Sequence, residues 1–279
     1  MLDQATRLRE IAEKYCERPA VARPHILTIT GGKGGVGKST LALNLAIRFA
    51  ELKNNTLLID ADENLGNLDV MAGVSPERRL GHVLRGECDL EAALVSPMKN
   101  LCMLAGSSGE MGYRHMTMER RRELLADVQD LEQRFDHIVL DTAAGIGEDV
   151  VSLAVQSHET IVVTQPEPTA VMDAYALIKM ITLADPMAPL SLIVNAAHSP
   201  AEADDTATKL RQVVHHFLQR QITYLGSIPF DRNVSKAVVR QHPLVKEFPA
   251  TSAALSIGMI AERICEHAPS MLRRRIQTP

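Results

Sequence analysis

Cysteine is sparse. There are four in 279 residues, Cys16, Cys88, Cys102 and Cys265, far apart and without a CxxC pair. That spacing argues against a zinc site, a disulfide frame or an iron–sulfur cluster, and it leaves free thiols in a reducing cytoplasm. Tryptophan is absent and aromatics reach only 3%. A base-stacking platform for nucleic acid needs aromatic faces, so that class is excluded. Positive charge is not in excess: 30 Lys and Arg stand against 34 Asp and Glu, a formal net charge of -4. Bulk charge therefore gives no sequence-independent grip on DNA, and no direct nucleic-acid contact is expected. The first thirty residues lack a cationic start followed by a long apolar run. No apolar stretch approaches the roughly 20 residues that a spanning helix requires. The expected location is cytoplasmic.

What is present is a chain with 46% hydrophobic residues, enough for one large core. Residues 2–18 read as a short polar helix with Leu2, Leu8 and Ile11 as its apolar points. Pro19 and Pro24 then bound a linker, so 1–24 form a separate N-terminal segment. From His25 onward, apolar β-branched runs alternate with helical periodicity. Strands are expected at Ile26–Thr30, Thr56–Asp60, Leu101–Leu104, His137–Asp141, Thr160–Thr164, Leu190–Asn195 and Thr223–Ile228. Helices are expected at Lys38–Leu52, Met118–Arg134, Thr169–Ala184, Ala203–Arg220 and Ser252–His267. The alternation predicts an α/β fold, a mostly parallel central sheet with right-handed crossovers and helices on both faces. Ligands of such sheets sit at the carboxyl ends of the strands. The glycine loop, Asp60, Asp62, Asp141 and Asn195 all fall at those ends.

The loop Gly32-Lys33-Gly34-Gly35-Val36-Gly37-Lys38-Ser39-Thr40 follows the first strand and opens the first long helix. Its Gly32-to-Ser39 spacing is the full G-x-x-x-x-G-K-[ST] pattern. Triphosphate charge is met at close range by backbone N–H groups, which glycines expose, and by the helix N-terminus. Lys38 then reaches the outer phosphates, and the Ser39 hydroxyl is a hard oxygen ligand for Mg²⁺. Asp141 ends an apolar strand and can hold the metal through its water shell; Asp60 is a further candidate ligand. The cofactors read from this pattern are ATP and Mg²⁺.

An ordinary phosphate loop has no need of a second lysine near its start. With Lys33 in place, the loop resembles the deviant KGGVGK[ST]T motif of the MinD/ParA (SIMIBI-class) ATPases. The resemblance covers roughly residues 24–268 and implies a P-loop NTPase fold, the MinD-like three-layer sandwich. It implies a slow, partner-regulated ATPase that forms an ATP-dependent homodimer, in which Lys33 reaches the partner's nucleotide. Asp60-Ala61-Asp62, running into Leu65-Gly66-Asn67-Leu68-Asp69, looks like the family's first switch. Carried over, Asp62 orients the attacking water. Asn64 departs from the family's glycine, although asparagine also tolerates positive φ. Asp141-Thr142-Ala143-Ala144-Gly145 looks like the second switch. Asn195 matches the adenine-contacting asparagine. Ile228-Pro229-Phe230-Asp231 resembles the loop that packs on the base, adding Pro229 and Asp231 to the nucleotide contacts.

Two features point to one branch. The second switch, with Glu167-Pro168-Thr169 and Asp173–Lys179 downstream, looks like the flagellar-number regulators of the FlhG/FleN/YlxH type. The amino-terminal Asp3-Gln4-Ala5-Thr6-Arg7-Leu8-Arg9 matches the motif by which those proteins stimulate a signal-recognition-type (FlhF-like) flagellar GTPase. By that resemblance Asp3, Gln4, Leu8 and Arg9 are the partner-activating residues, with Gln4 inserted into the GTPase. The resemblance also implies flagellar C-ring proteins and a flagellar master transcription activator as partners. In the tail, residues 269–279, Met271, Leu272 and Ile276 lie beside three arginines. That segment reads either as an anionic-membrane contact, peripheral to the inner membrane at the cell pole, or as a basic tail; Pro269 is expected to separate it from the last helix. The rival readings are a ParA- or MinD-type positioner of DNA or division-site proteins, a metabolic P-loop enzyme and a non-hydrolysing scaffold.

Overall fold

The computed structural model describes residues 24–62, 66–107 and 134–276, with side chains up to 268. The expected helix Met118–Arg134 and the amino-terminal motif lie outside these residues, apart from Arg134 itself. Eight strands form one sheet: β1 (His25–Thr30), β2 (Thr56–Ala61), β3 (Leu94–Met98), β4 (Leu101–Leu104), β5 (His137–Thr142), β6 (Glu159–Thr164), β7 (Leu190–Ala197) and β8 (Thr223–Pro229). Their order is β3-β4-β2-β5-β1-β6-β7-β8. Every pairing is parallel except β3 with β4.

The long helices are α1 (Lys38–Glu51), α5 (Glu148–Gln156), α6 (Pro168–Ala184), α7 (Pro200–Leu218) and α10 (Ser252–Ile276). Shorter ones are α2 (Leu68–Ala72), α3 (Leu80–Leu84), α4 (Leu90–Ala93), α8 (Arg232–Val239) and α9 (Leu244–Glu247). Strand residues sort by period two into the layers. Ile161, Val163 and Ile193 pack with α1 and α10, whereas Val162, Leu192 and Val194 pack with α5, α6 and α7. Alternate side chains of a strand leave opposite faces, so the helices cover both sides. A third apolar cluster joins α3 and α4 to Leu57, Ile59, Ile138 and Leu140.

Seven strands match the sequence reading to within two residues. The eighth, β3, was not expected: its Leu-Val-Ser-Pro-Met run contains Pro97, and proline is tolerated only because β3 is an edge strand. Helices α6 and α7 begin earlier than expected, each with proline at the start. That position needs no N–H, and Ser199 caps α7 by accepting from the Glu202 amide at 3.2 Å. Helix α10 runs through Pro269 to Ile276, where a break had been expected. Proline deletes one backbone hydrogen bond, and the turns before it are secured against α1 and β8, so the helix continues.

The amino ends of the strands carry an uncommon burial. His25 and His137 are register neighbours on β1 and β5, their rings 5.9 Å apart, and His137 stacks on Phe49 at 4.4 Å. Burial drives His25 down to about 3 and His137 to about 4. Glu159 lies 3.6 Å from His25 and is itself pushed up by burial; with the imidazole held neutral, the contact is not an ion pair. A histidine held neutral contributes stability that is present above its unfolded value near 6.5 and is lost as pH falls below it. Between pH 7 and pH 5 the wild type should therefore lose about 2 kcal/mol more stability than His25→Gln. Urea unfolding at the two pH values checks this; equal losses would mean that His25 is protonated in the native state.

Candidate functional site

The site gathers at the carboxyl ends of β1, β2, β5, β6 and β7. The phosphate loop leaves β1 and enters α1, whose N-cap Gly37 has φ +94°, while Gly35 has φ +79°. Both values are left-handed and favour glycine. The loop is braced from three sides. Asn195 Nδ2 on β7 donates to the Val36 carbonyl at 2.8 Å, so close that a Cβ on Gly37 would sit 2.3 Å from it. Gln165, just past β6, donates to the Gly35 carbonyl at 3.3 Å. The Gly145 amide, past β5, donates to the Gly31 carbonyl at 3.1 Å. A Cβ on Gly32 would meet the α6 backbone at Asp173, 2.1 Å away.

Inside this cradle lies charge. Lys38 is 8% exposed, and burial lowers its pKa against the opposing pull of Asp141 and Asp62. Asp60 and Asp141 face each other in register on adjacent strands. Asp141 is pushed up to about 8, chiefly by burial and then by the Asp60 carboxylate; a hydrogen bond from Ser39 opposes this. Asp60 is pushed up to about 6, again by burial, against backbone N–H donors at Leu68, Asp62 and Asn67. The Asp62 amide donates to Asp60 Oδ1 and the Leu68 amide to Oδ2, both at 3.2 Å. One carboxylate thus holds both ends of the loop that carries Asp62. Residues 63–65, including Asn64, lie outside the described residues.

The buried Asp141 Oδ1 has no hydrogen-bond partner among the described residues. Such an orphan oxygen, beside the Ser39 hydroxyl and under the phosphate loop, fits Mg²⁺. That ion takes one or two protein oxygens and completes its shell with water and phosphate. Ser39 and Asp141 are the residues placed to hold it. Asp60, the further candidate ligand, accepts from the backbone of Asp62, Asn67 and Leu68 and faces Asp141.

The structure brings Lys33, Lys38, Ser39, Asp60, Asp62 and Asp141 to one end of the sheet. Lys33 Nζ lies 3.0 Å from Glu167 Oε2 and 3.2 Å from Thr169 Oγ1, and its side chain is 40% exposed. The residues expected at the base have structural engagements here. Asn195 grips the loop by its amide nitrogen, and Asp231 caps α8 through the Asn233 amide at 2.8 Å. Pro229 ends β8 beside Ala197, and the exposed Phe230 ring contacts His198 at 5.0 Å. Gln165, Gly106 and Arg79 were missed by the sequence reading. Gln165 follows a strand end, and that position was its one available signal.

A family model described as ParA, NUBPL iron-transfer P-loop NTPase, matches residues 23–265. The chain belongs to the ParA/MinD family of P-loop NTPases. Within this family it is 36% identical over 239 residues to the antiactivator FleN of Pseudomonas aeruginosa, covering 86% of this chain and 85% of the relative. The flagellum site-determining protein YlxH of Helicobacter pylori is 32% identical, covering 84% and 80%. Among solved structures, the septum site-determining MinD of Pyrococcus horikoshii with Mg-ADP has a TM-score of 0.72 at 25% identity, over 89% of this chain and 98% of that one. Cell division ATPase MinD of Pyrococcus furiosus gives 0.70 at 25%, over 87% and 98%.

A family member with Asp141 near 8 carries a proton there at neutral pH. A cation favours the anion, so Mg–nucleotide binding releases that proton. Its affinity should rise with pH, by at most about tenfold per unit, and level off above pH 8. Calorimetry in buffers of different ionisation heat measures the release; Asp141→Asn should flatten the slope. An unchanged slope in that variant would assign the proton to another group.

Proposed function

We propose that this chain is an ATP-dependent dimerising switch that regulates flagellar number and placement. The observation that carries the ATPase part is the complete phosphate loop over a buried Lys38–Asp141 pair, with an orphan carboxylate oxygen beside Ser39. In this reading the loop amides and Lys38 bind the phosphates, and Ser39 and Asp141 hold Mg²⁺. The metal, when bound, neutralises phosphate charge. Asp62 orients the attacking water, since its backbone is pinned to Asp60 while its side chain influences both Lys38 and Asp141. Asn195 and the Pro229–Asp231 turn adjoin the space for a base, with Phe230 exposed to stack on it. A base contact by Asn195 then uses its Oδ1.

Lys33 supports the dimer. It is exposed at the loop's rim and bonded to Glu167 and Thr169, where a second copy can draw it away. The flagellar assignment rests on the likeness to FleN and YlxH and on the amino-terminal motif Asp3, Gln4, Leu8 and Arg9. In that assignment the motif stimulates an FlhF-like GTPase, and the antiactivator name of the first relative favours restraint of a transcription activator. No described helix is long and apolar enough to cross a membrane. The helical backbone up to Ile276 favours a lipid-facing tail, because an amphipathic contact needs contiguous turns.

Analytical ultracentrifugation with Mg²⁺ and a non-hydrolysable ATP analogue should give a dimer, and Lys33→Ala a monomer. Asp62→Ala should retain ATP binding and lose turnover by about 100-fold or more. A wild-type monomer at saturating analogue would sink the switch. In cells, a deletion strain with unchanged flagellar number and position would sink the flagellar role alone.

A further inference from the structure

Asp60 does not hold the Asp62 loop unaided. Its carboxylate is lodged between two glycines: a Cβ on either Gly66 or Gly106 would approach it to 2.9 Å. Gly106 lies in the segment just after β4, and that segment is itself gripped. Arg79 Nη1 donates to the Gly106 carbonyl at 3.3 Å, and the Leu80 amide donates to the Ala105 carbonyl at 2.8 Å. The other arm of the guanidinium, Nη2, meets Asp69 Oδ2 at 2.6 Å. Asp69 follows Leu68, whose amide is one of the Asp60 donors. Segments 66–69, 79–80 and 105–106 thus close around one carboxylate, with Arg79 as the crosspiece.

We propose that the Arg79–Asp69 pair is a positioning device for ATP hydrolysis. It clamps the Gly106 carbonyl, wedges the 105–106 segment against Asp60, and so fixes the Asp62 loop relative to the phosphates. The pair lies too far along the chain from the phosphate loop to be recognised by spacing. It differs from a surface ion pair in two respects. The Asp69 side chain is 5% exposed, and its Oδ1 is buried without a hydrogen-bond partner among the described residues. An aspartate so placed depends on Arg79, its cationic partner among the described residues, and removing that partner leaves an uncompensated charge against the switch loop. Arginine's two-armed planar fork spans a carboxylate and a carbonyl together; lysine offers a point charge and cannot hold both in the same geometry. The pair acts through Asp60 and touches no reacting atom, so it should set the hydrolysis rate and leave nucleotide affinity alone.

The inference rests on the ATPase reading, and the test compares variants with active wild type, so an inactive wild type marks failure of that reading instead. In the full chain, Arg79→Ala should lower kcat about 10- to 100-fold, the effect expected of a loop displaced by about 1 Å. KM for ATP and the Kd of a fluorescent ATP analogue should stay within about twofold. Arg79→Lys should fall between the two. Millimolar guanidinium ion should restore part of kcat to Arg79→Ala and none to Asp62→Ala. If Arg79→Ala does not fold, Arg79→Lys and Asp69→Asn carry the same measurement. The proposal is overturned if kcat stays within about twofold of wild type, or if kcat and nucleotide affinity fall together, as for a pair that only holds the fold.

Discussion

Two carboxylates placed in register on adjacent strands, buried with a single lysine, are the constraint from which the rest of this molecule follows. Asp60 and Asp141 repel each other at the carboxyl ends of β2 and β5, and burial penalises both. Lys38 answers part of that charge and is itself desolvated. A site in this condition is incomplete. It accepts a cation and the phosphates that accompany it because they complete an electrostatic arrangement the chain leaves open. The Asp60 carboxylate that faces Asp141 also accepts from the backbone of Asp62 and Leu68, so the buried charge and the anchor of that loop share one group.

The bracing of the phosphate loop shows how that state is passed on. Each brace comes from a different strand end: Gly145 after β5, Gln165 after β6 and Asn195 on β7. The short β6–α6 connection that supplies Gln165 also holds Lys33 through Glu167, and Thr169 in the first turn of α6 joins it. The phosphate loop and the Lys33 side chain are therefore both tied to residues between the end of β6 and the first turn of α6. Parallel strands make this possible, because all of their carboxyl ends open on one side.

The two ends of the sheet treat ionisable groups in opposite ways. At the amino ends, His25 and His137 are buried and neutral beside the buried Glu159, and His137 packs against Phe49. At the carboxyl ends, burial raises Asp141 beside the Ser39 hydroxyl and the phosphate loop. Desolvation acts on both ends; what differs is whether an open donor set and a phosphate cradle lie beside the group.

The sequence by itself determined the layered α/β fold, the phosphate loop and the strand-end placement of Asp60, Asp62 and Asp141. These follow from local signals: apolar runs of strand length, glycines where φ must be positive, and a fixed lysine–serine spacing. Edge strand β3 escaped because Pro97 reads as a breaker until an unpaired edge is known to receive it. The continuation of α10 past Pro269 escaped for a similar reason, since packing on α1 and β8 outweighs one lost hydrogen bond. Only the tertiary structure decided that Asn195 grips the phosphate loop, that Asp60 fastens a loop while facing Asp141, and that Gly106, held by Arg79, packs against Asp60. Those roles are set by contacts between residues up to 159 positions apart, and a side chain's partner at that range depends on which strands lie side by side, which no local pattern encodes.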